Sequence, residues 1–294
     1  MSGRRLIPFL PSALTLANLV FGFLAVARLF DAMTLAADDG GVFDPAFADK
    51  VLQACWCVAG AMLCDALDGR LARLMQATSE FGAQLDSLAD MVTFGLAPAV
   101  MAKVVYAHTV AQLGVRSHPG LVTLLCSLYL MGAALRLARF NVSTEPEDSA
   151  HDTFLGLPSP AAAGTVVSLC LFVFVGRHEL GLDEQAADRG ATLLLRALPA
   201  VAAALGLLMI SHVRYVHVFQ RYVKSRTRAA NFVRVVLVVW FLAIFWEWGL
   251  FALALLYVLG GLALWAVARA RGKPVTATLP EPWDPDDDEP EPRP

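Results

Sequence analysis

Four aspartates stand close together in the chain, at positions 65, 68, 86 and 90. Asp65 and Asp68 are three residues apart, and Asp86 and Asp90 are four apart. In an α-helix either spacing puts both side chains on one face. Between the pairs, a polar stretch around 76–80 interrupts the apolar pattern. A break there predicts two helices folded back as an antiparallel hairpin, which brings the two carboxylate pairs together. Clustered carboxylates repel one another, and hard oxygen ligands of this kind suit Mg²⁺ or Mn²⁺. Two such ions can stabilise both the entering and the leaving oxygen when a phosphoryl group changes partners. A bare Asp-x-x-Asp beside Arg70 and Arg73 is also compatible with solvated ion pairs at a membrane boundary. The two pairs alone leave both roles open.

The elements that must carry these residues are membrane spans. Of 294 residues, 57% are apolar and only 17% charged, a balance few soluble folds tolerate. A bilayer core needs about 20 apolar residues per helical crossing. Such runs occur near 10–30, 51–74, 81–106, 121–140, 161–175 and 191–210. The first is long for a signal-peptide core and lacks a small-residue cleavage site, so it reads as a retained span. The run 233–268 is too long for one crossing, and Glu247, Trp248 and Gly249 interrupt it. Two helices joined by a tight turn are predicted there, which makes eight spans. The fold class is therefore an all-α, polytopic membrane bundle with its carboxylates near the cytoplasmic side.

Orientation follows from the basic residues. The loop after the sixth span carries Arg214, Arg221, Lys224, Arg226 and Arg228, and the last span is followed by Arg269, Arg271 and Lys273. The first outer loop, 31–50, holds five aspartates against the single Lys50. Both termini are expected in the cytoplasm, with the protein in the cell (inner) membrane. The acidic loop 143–152 dissents, but acids weigh little in this rule and Arg136 and Arg139 sit at its edge. The basic loop suits anionic lipid headgroups, and no nucleic-acid partner is expected. Residues 1–273 form one membrane domain, and the acidic, proline-rich 274–294 lacks the apolar content to fold. Cys55, Cys57, Cys64, Cys126 and Cys170 all fall within apolar runs and read as packing residues. The six histidines show no clustered spacing.

Taken whole, Asp65-x-x-Asp68-Gly69-x-x-Ala72-Arg73, eight residues, then Gly82-x-x-x-Asp86-x-x-x-Asp90 resembles the signature of the CDP-alcohol phosphotransferases at every fixed position. The resemblance implies that the four aspartates hold two metal ions, Mg²⁺ or Mn²⁺, and that Asp90 is also the base toward an acceptor hydroxyl. It implies a CDP-lipid site at Gly69, Ala72, Arg73, Ser79 and Gly82, joined by Pro11, Ser12 and Thr15 at the start of the first span. Gly69 and Gly82 would let backbone approach the nucleotide, or serve helix packing. Arg73 offers a forked donor to phosphate. Ser79 faces the nucleotide or caps a helix, and the two roles weigh equally.

Further segments resemble the bacterial phosphatidylserine synthases of that family. They are 16–25, 79–90 with 94–98, 136–142 and 154–161. The substrates implied are CDP-diacylglycerol and L-serine, in a homodimer among membrane lipids. Arg136 and Arg139, at the cytoplasmic end of the fourth span, are candidates for the serine carboxylate, or positive-inside anchors. Glycerol 3-phosphate, inositol phosphate or choline remain alternative acceptors. A transporter with ion-binding carboxylates would call for internal repeats and discontinuous helices, and no repeat is evident.

Overall fold

The structure is a computed structural model of the whole chain, and it describes residues 9–35, 41–75, 80–142, 153–176, 184–216 and 246–270. It is a bundle of long apolar helices. Helix α1 spans Phe9–Leu35 and α2 spans Pro45–Leu74. A continuous rod then runs Glu80–Gln112, made of α3 (Glu80–Asp90), a π-helical segment (Met91–Leu96) and α4 (Ala97–Gln112). Helix α5 is Pro119–Val142, α6 is Ser159–Phe174, α7 is Glu184–Ile210 and α8 is Trp246–Ala270.

Among the described residues, six helical runs are long and apolar enough to cross a membrane. The protein is thus a multi-pass membrane protein, as the runs of apolar residues predict. Two details differ from that expectation. Helix α6 has 16 residues, about 24 Å at 1.5 Å per residue, which is short of a bilayer core of about 30 Å. It lies inside the bundle, with most of its residues buried. The predicted turn at Glu247–Gly249 lies within α8 instead, whose first turn it forms. The predicted span beginning at 233 lies outside the described residues up to Trp246, as do the basic stretch 217–245 and the tail 274–294.

Local chemistry accounts for the element boundaries. Asp44 caps α2, accepting from the Phe47 amide (3.1 Å) and the Ala46 amide (3.4 Å), with Pro45 at the first helical position, where a missing N–H costs nothing. The π-helical segment has a cause in Pro98. In an α-helix the residue at 98 would donate to the Phe94 carbonyl, and proline has no N–H to give. The register widens instead, and the Ala97 amide bonds the Val92 carbonyl, five residues back. The Phe94 carbonyl is taken up by the buried hydroxyl of Tyr129 on α5, at 2.9 Å.

Helix α1 packs most extensively on α2, and α5 on α7. The α5–α7 crossing is a contact of glycines. A Cβ on Gly206 would lie 2.6 Å from the Tyr129 Cα and 2.7 Å from the Leu128 carbonyl oxygen. A Cβ on Gly132 would run into the Gly206 carbonyl. Small residues are what let helix backbones approach this closely. Helix α8 lies against α6, where Phe251 and Phe172 stack with ring centroids 5.0 Å apart.

A two-stranded antiparallel ribbon was not expected from the sequence. It pairs β1 (Thr153–Leu155) with β2 (Arg214–Val216), Phe154 opposite Tyr215. Beside it Gly156 takes φ +81°, and a Cβ there would strike the Met209 carbonyl. The Gly156 amide donates to the Val213 carbonyl (2.9 Å) and the Leu157 amide to that of Leu208 (3.0 Å). The entry to α6 is thereby tied to the exit of α7.

Candidate metal centre

Three of the four carboxylates that the spacing is expected to bring together do converge, from the last turns of α2 and from α3, while both helices pack chiefly on α1. Asp65, Asp68 and Asp86 each offer a carboxylate oxygen, and these oxygens lie within 4.8 Å of one another. Asp68 is buried, at 4% exposure, while Asp65 and Asp86 are half-buried. Asp90 follows one turn beyond Asp86 and is 8% exposed. Its carboxylate lies outside the three-membered cluster and is held from α1 instead.

Helix α1 supplies two polar side chains to this region. The Thr15 hydroxyl lies 2.9 Å from Asp68 Oδ2 and 3.1 Å from the Pro11 carbonyl. Donation to the charged oxygen is the stronger of the two. Three residues along the same helix face, Asn18 donates through Nδ2 to Asp90 Oδ1 at 3.1 Å. The Asn18 carbonyl in turn accepts from the Thr93 hydroxyl at 3.1 Å. This contact is possible because position 22 is glycine, since a Cβ there would overlap the Thr93 hydroxyl.

The donor set fits a hard divalent cation. Oxygens sharing one Mg²⁺ or Mn²⁺ at about 2.1 Å stand about 3–4.2 Å apart, close to the separations present. A second observation agrees with this. Asp86 Oδ1 is buried and has no hydrogen-bond partner among the described residues. A buried carboxylate oxygen without a donor is costly, and a cation removes that cost. Asp65, Asp68 and Asp86 are the residues that would hold it.

The other expected residues distribute as follows. Gly69 is exposed on α2, and a Cβ there would meet nothing within 4 Å. Helix packing therefore does not account for it, and open space beside Asp68 does. Gly82 lies on α3, half-buried. Ala72 and Arg73 continue α2 one turn past Asp68, with side chains outside the described residues, as Ser79 is entirely. Pro11 is buried in the first turns of α1, with Ser12 beside it half-buried. Arg136 is half-buried on α5 and within electrostatic reach of Asp90 and of Tyr257 on α8, whereas Arg139 is exposed. The end of α5 is brought to α3 by Ser87, whose hydroxyl donates to Asn141 Oδ1 at 3.0 Å.

Sequence reasoning missed Asn18, Thr93 and Tyr129 as members of the site's support. A signal for Asn18 exists in hindsight: an amide inside an apolar span is costly unless partnered, and it stands three residues from Thr15 on one face. The five cysteines are free thiols, and Cys55, Cys126 and Cys170 are buried in the core.

The sequence model of the CDP-alcohol phosphatidyltransferase family matches residues 8–208. The chain is also similar to proteins named CDP-diacylglycerol–serine O-phosphatidyltransferase. The protein of Helicobacter pylori (strain J99) is 36% identical over 166 residues, 56% of this chain and 61% of the relative. That of Bacillus subtilis is 32% identical over 162 residues, 55% of this chain and 75% of the relative. That of Saccharomyces cerevisiae is 37% identical over 120 residues, 39% of this chain and 40% of the relative. The match spans about three fifths of the length of the Helicobacter relative. With the matched region running from the start of α1 to the end of α7 and the aspartates of α2 and α3 inside it, the chain belongs to the CDP-alcohol phosphatidyltransferase family.

Proposed function

We propose that the protein transfers the phosphatidyl group of CDP-diacylglycerol to L-serine, giving phosphatidylserine and CMP. The observation that carries this is the convergence of Asp65, Asp68 and Asp86 within 4.8 Å in a membrane bundle of this family. The names of the relatives supply the acceptor. Two Mg²⁺ or Mn²⁺ ions, when bound, would supply charge stabilisation to the pyrophosphate oxygens. Asp65, Asp68 and Asp86 would hold those ions, with Asp90 as a further ligand. Thr15 keeps the Asp68 carboxylate fixed through its hydroxyl. Gly69 leaves room for the nucleotide beside it, with Ala72, Arg73, Ser79, Gly82, Pro11 and Ser12 completing the CDP-lipid site.

In the transfer step the serine hydroxyl oxygen forms a bond to the lipid-bearing phosphorus. The bond from that phosphorus to the bridging oxygen breaks, and CMP departs with the electron pair. The hydroxyl proton passes to Asp90, the base. Arg136 receives the serine carboxylate, which its half-buried position near Asp90 supports, and Arg139 lies one turn further out. The enzyme works as a homodimer in the cell membrane with both termini in the cytoplasm.

The test is release of CMP from CDP-diacylglycerol by the purified protein, with a panel of acceptors. Serine should release CMP in the presence of Mg²⁺ or Mn²⁺, and a chelator should stop it. Release driven by glycerol 3-phosphate, inositol phosphate or choline in place of serine would reassign the acceptor. Undiminished release after thorough metal depletion would remove the metal reading.

A further inference from the structure

The support around Asp90 is more elaborate than a helix packing contact requires. Asn18 is completely buried. Its Nδ2 donates to Asp90 Oδ1, while its main-chain carbonyl accepts from the hydroxyl of Thr93, one turn further along the same rod. One residue of α1 therefore grips both ends of the turn that begins at Asp90. That turn opens the π-helical segment, a feature frequent at functional sites. Tyr129 fastens its far side through the Phe94 carbonyl. Gly22, one turn after Asn18, has no side chain to keep Thr93 away.

Asn18 carries a cost at this position. Its Oδ1 is buried with no donor among the described residues, and an unsatisfied buried oxygen is unfavourable. An apolar residue of similar size would avoid that cost. What the amide adds is a donor to Asp90. A carboxylate turns about its terminal torsion over a broad range, so one fixed oxygen determines where the other stands.

We propose that Asn18 is a positioning residue for the transfer step, holding one oxygen of Asp90 so that the other is available to the acceptor hydroxyl. The inference rests on the assignment of Asp90 as base. Thr93 and the π-helical turn act through Asn18 by fixing its main chain. Asn18 touches neither substrate in this scheme, so its loss shows in turnover and not in substrate binding.

The experiment compares wild type with Asn18→Leu, Thr93→Val, Thr93→Ser, Asp90→Asn and the double variant Asn18→Leu/Asp90→Asn. Each is purified with saturating Mn²⁺, its folding checked by elution profile and thermal midpoint, and kcat and KM measured for CDP-diacylglycerol and serine. Asn18→Leu should lower kcat by about 10²-fold, the scale of a small misplacement of a reacting group, with both KM values unchanged. Thr93→Val should lower kcat less, and Thr93→Ser should restore it. The double variant should be no slower than Asp90→Asn alone, because residues acting as one unit are not additive. Wild-type kcat in Asn18→Leu, or a further loss in the double variant, overturns the inference while leaving the base assignment intact. Near-normal turnover in Asp90→Asn overturns both. If Asn18→Leu does not fold, the Thr93 pair decides, and equal turnover of Thr93→Val and Thr93→Ser counts against the proposal.

Discussion

The four aspartates divide into unequal parts once their surroundings are compared. Asp65, Asp68 and Asp86 converge, and Asp90 is tethered to Asn18 at the edge of that cluster. Substitutions should therefore separate binding from chemistry. Asp65→Asn should weaken metal-dependent binding of CDP-diacylglycerol strongly, since it removes charge from the cluster proposed to grip the pyrophosphate through its metal ions. Asp90→Asn should keep much of that binding and lose about 10²–10⁴-fold in rate, the range for a missing general base. Binding titrations with Mn²⁺ beside serine-dependent CMP release check both, and equal binding losses in the two variants would refute the division. The convergence was legible in the sequence because spacings of three and four residues define a helix face whatever the tertiary fold. The tether was not. Asn18 and Asp90 are 72 residues apart in the chain, and their meeting depends on how α1 leans on the π-helical turn.

The glycines separate two demands that composition alone conflates. Gly69 on α2 has open space where a Cβ would stand, and Gly206 on α7 has backbone there. Alanine in a helix is favoured over glycine by about 0.5–1 kcal/mol. Gly69→Ala should therefore leave the thermal midpoint in detergent unchanged or raised, yet raise KM for CDP-diacylglycerol by filling the nucleotide's approach. Gly206→Ala should do the reverse in stability. Its new methyl meets the Tyr129 Cα and the Leu128 carbonyl, neither of which can rotate away, and overpacking of this kind costs about 1–3 kcal/mol. Thermal midpoints and KM measured on both variants decide. A stable Gly206→Ala, or a Gly69→Ala with unchanged KM, would contradict the respective role. The helices themselves were readable from apolar runs and their polar breaks. The ribbon of β1 and β2 was not, because three-residue strands carry no periodicity and exist by pairing with a distant part of the chain, Thr153↔Val216 to Leu155↔Arg214. The π-helical turn had its cause in plain view at Pro98, but only the Tyr129 hydroxyl on the Phe94 carbonyl shows how the freed acceptor is satisfied.

The ends of the described helices show which way each of them runs. Asp68 near the end of α2 meets Thr15 near the start of α1, and Ser87 on α3 meets Asn141 at the end of α5. The start of α6 is tied to the end of α7 by Leu157 and Leu208. All of these termini lie at the end of the bundle that holds the aspartates. Phe172, in the last turn of α6, is consequently at the opposite end, and it stacks on Phe251, in the second turn of α8. Helix α8 thus begins far from the aspartates and runs back toward them. Residues 217–245, which join α7 to α8, lie outside the described residues, and the run of apolar residues at 233 is the sequence basis for expecting a further crossing there. The even number of crossings proposed from the sequence puts both termini on one side of the membrane, and the proposed use of a nucleotide substrate makes that side the cytoplasm. The basic residues agree, with Arg269 closing α8 and Arg271 and Lys273 following it. A reporter fused after Pro294 should therefore be reached by a membrane-impermeant reagent only after the cell membrane is opened. A cysteine placed in the loop between α4 and α5, at Ser117, should be labelled from outside in intact cells by the same reagent. A C-terminal reporter labelled in intact cells would overturn either the even count or the proposed orientation, and the cysteine at Ser117 separates the two, being shielded if the bundle is inverted.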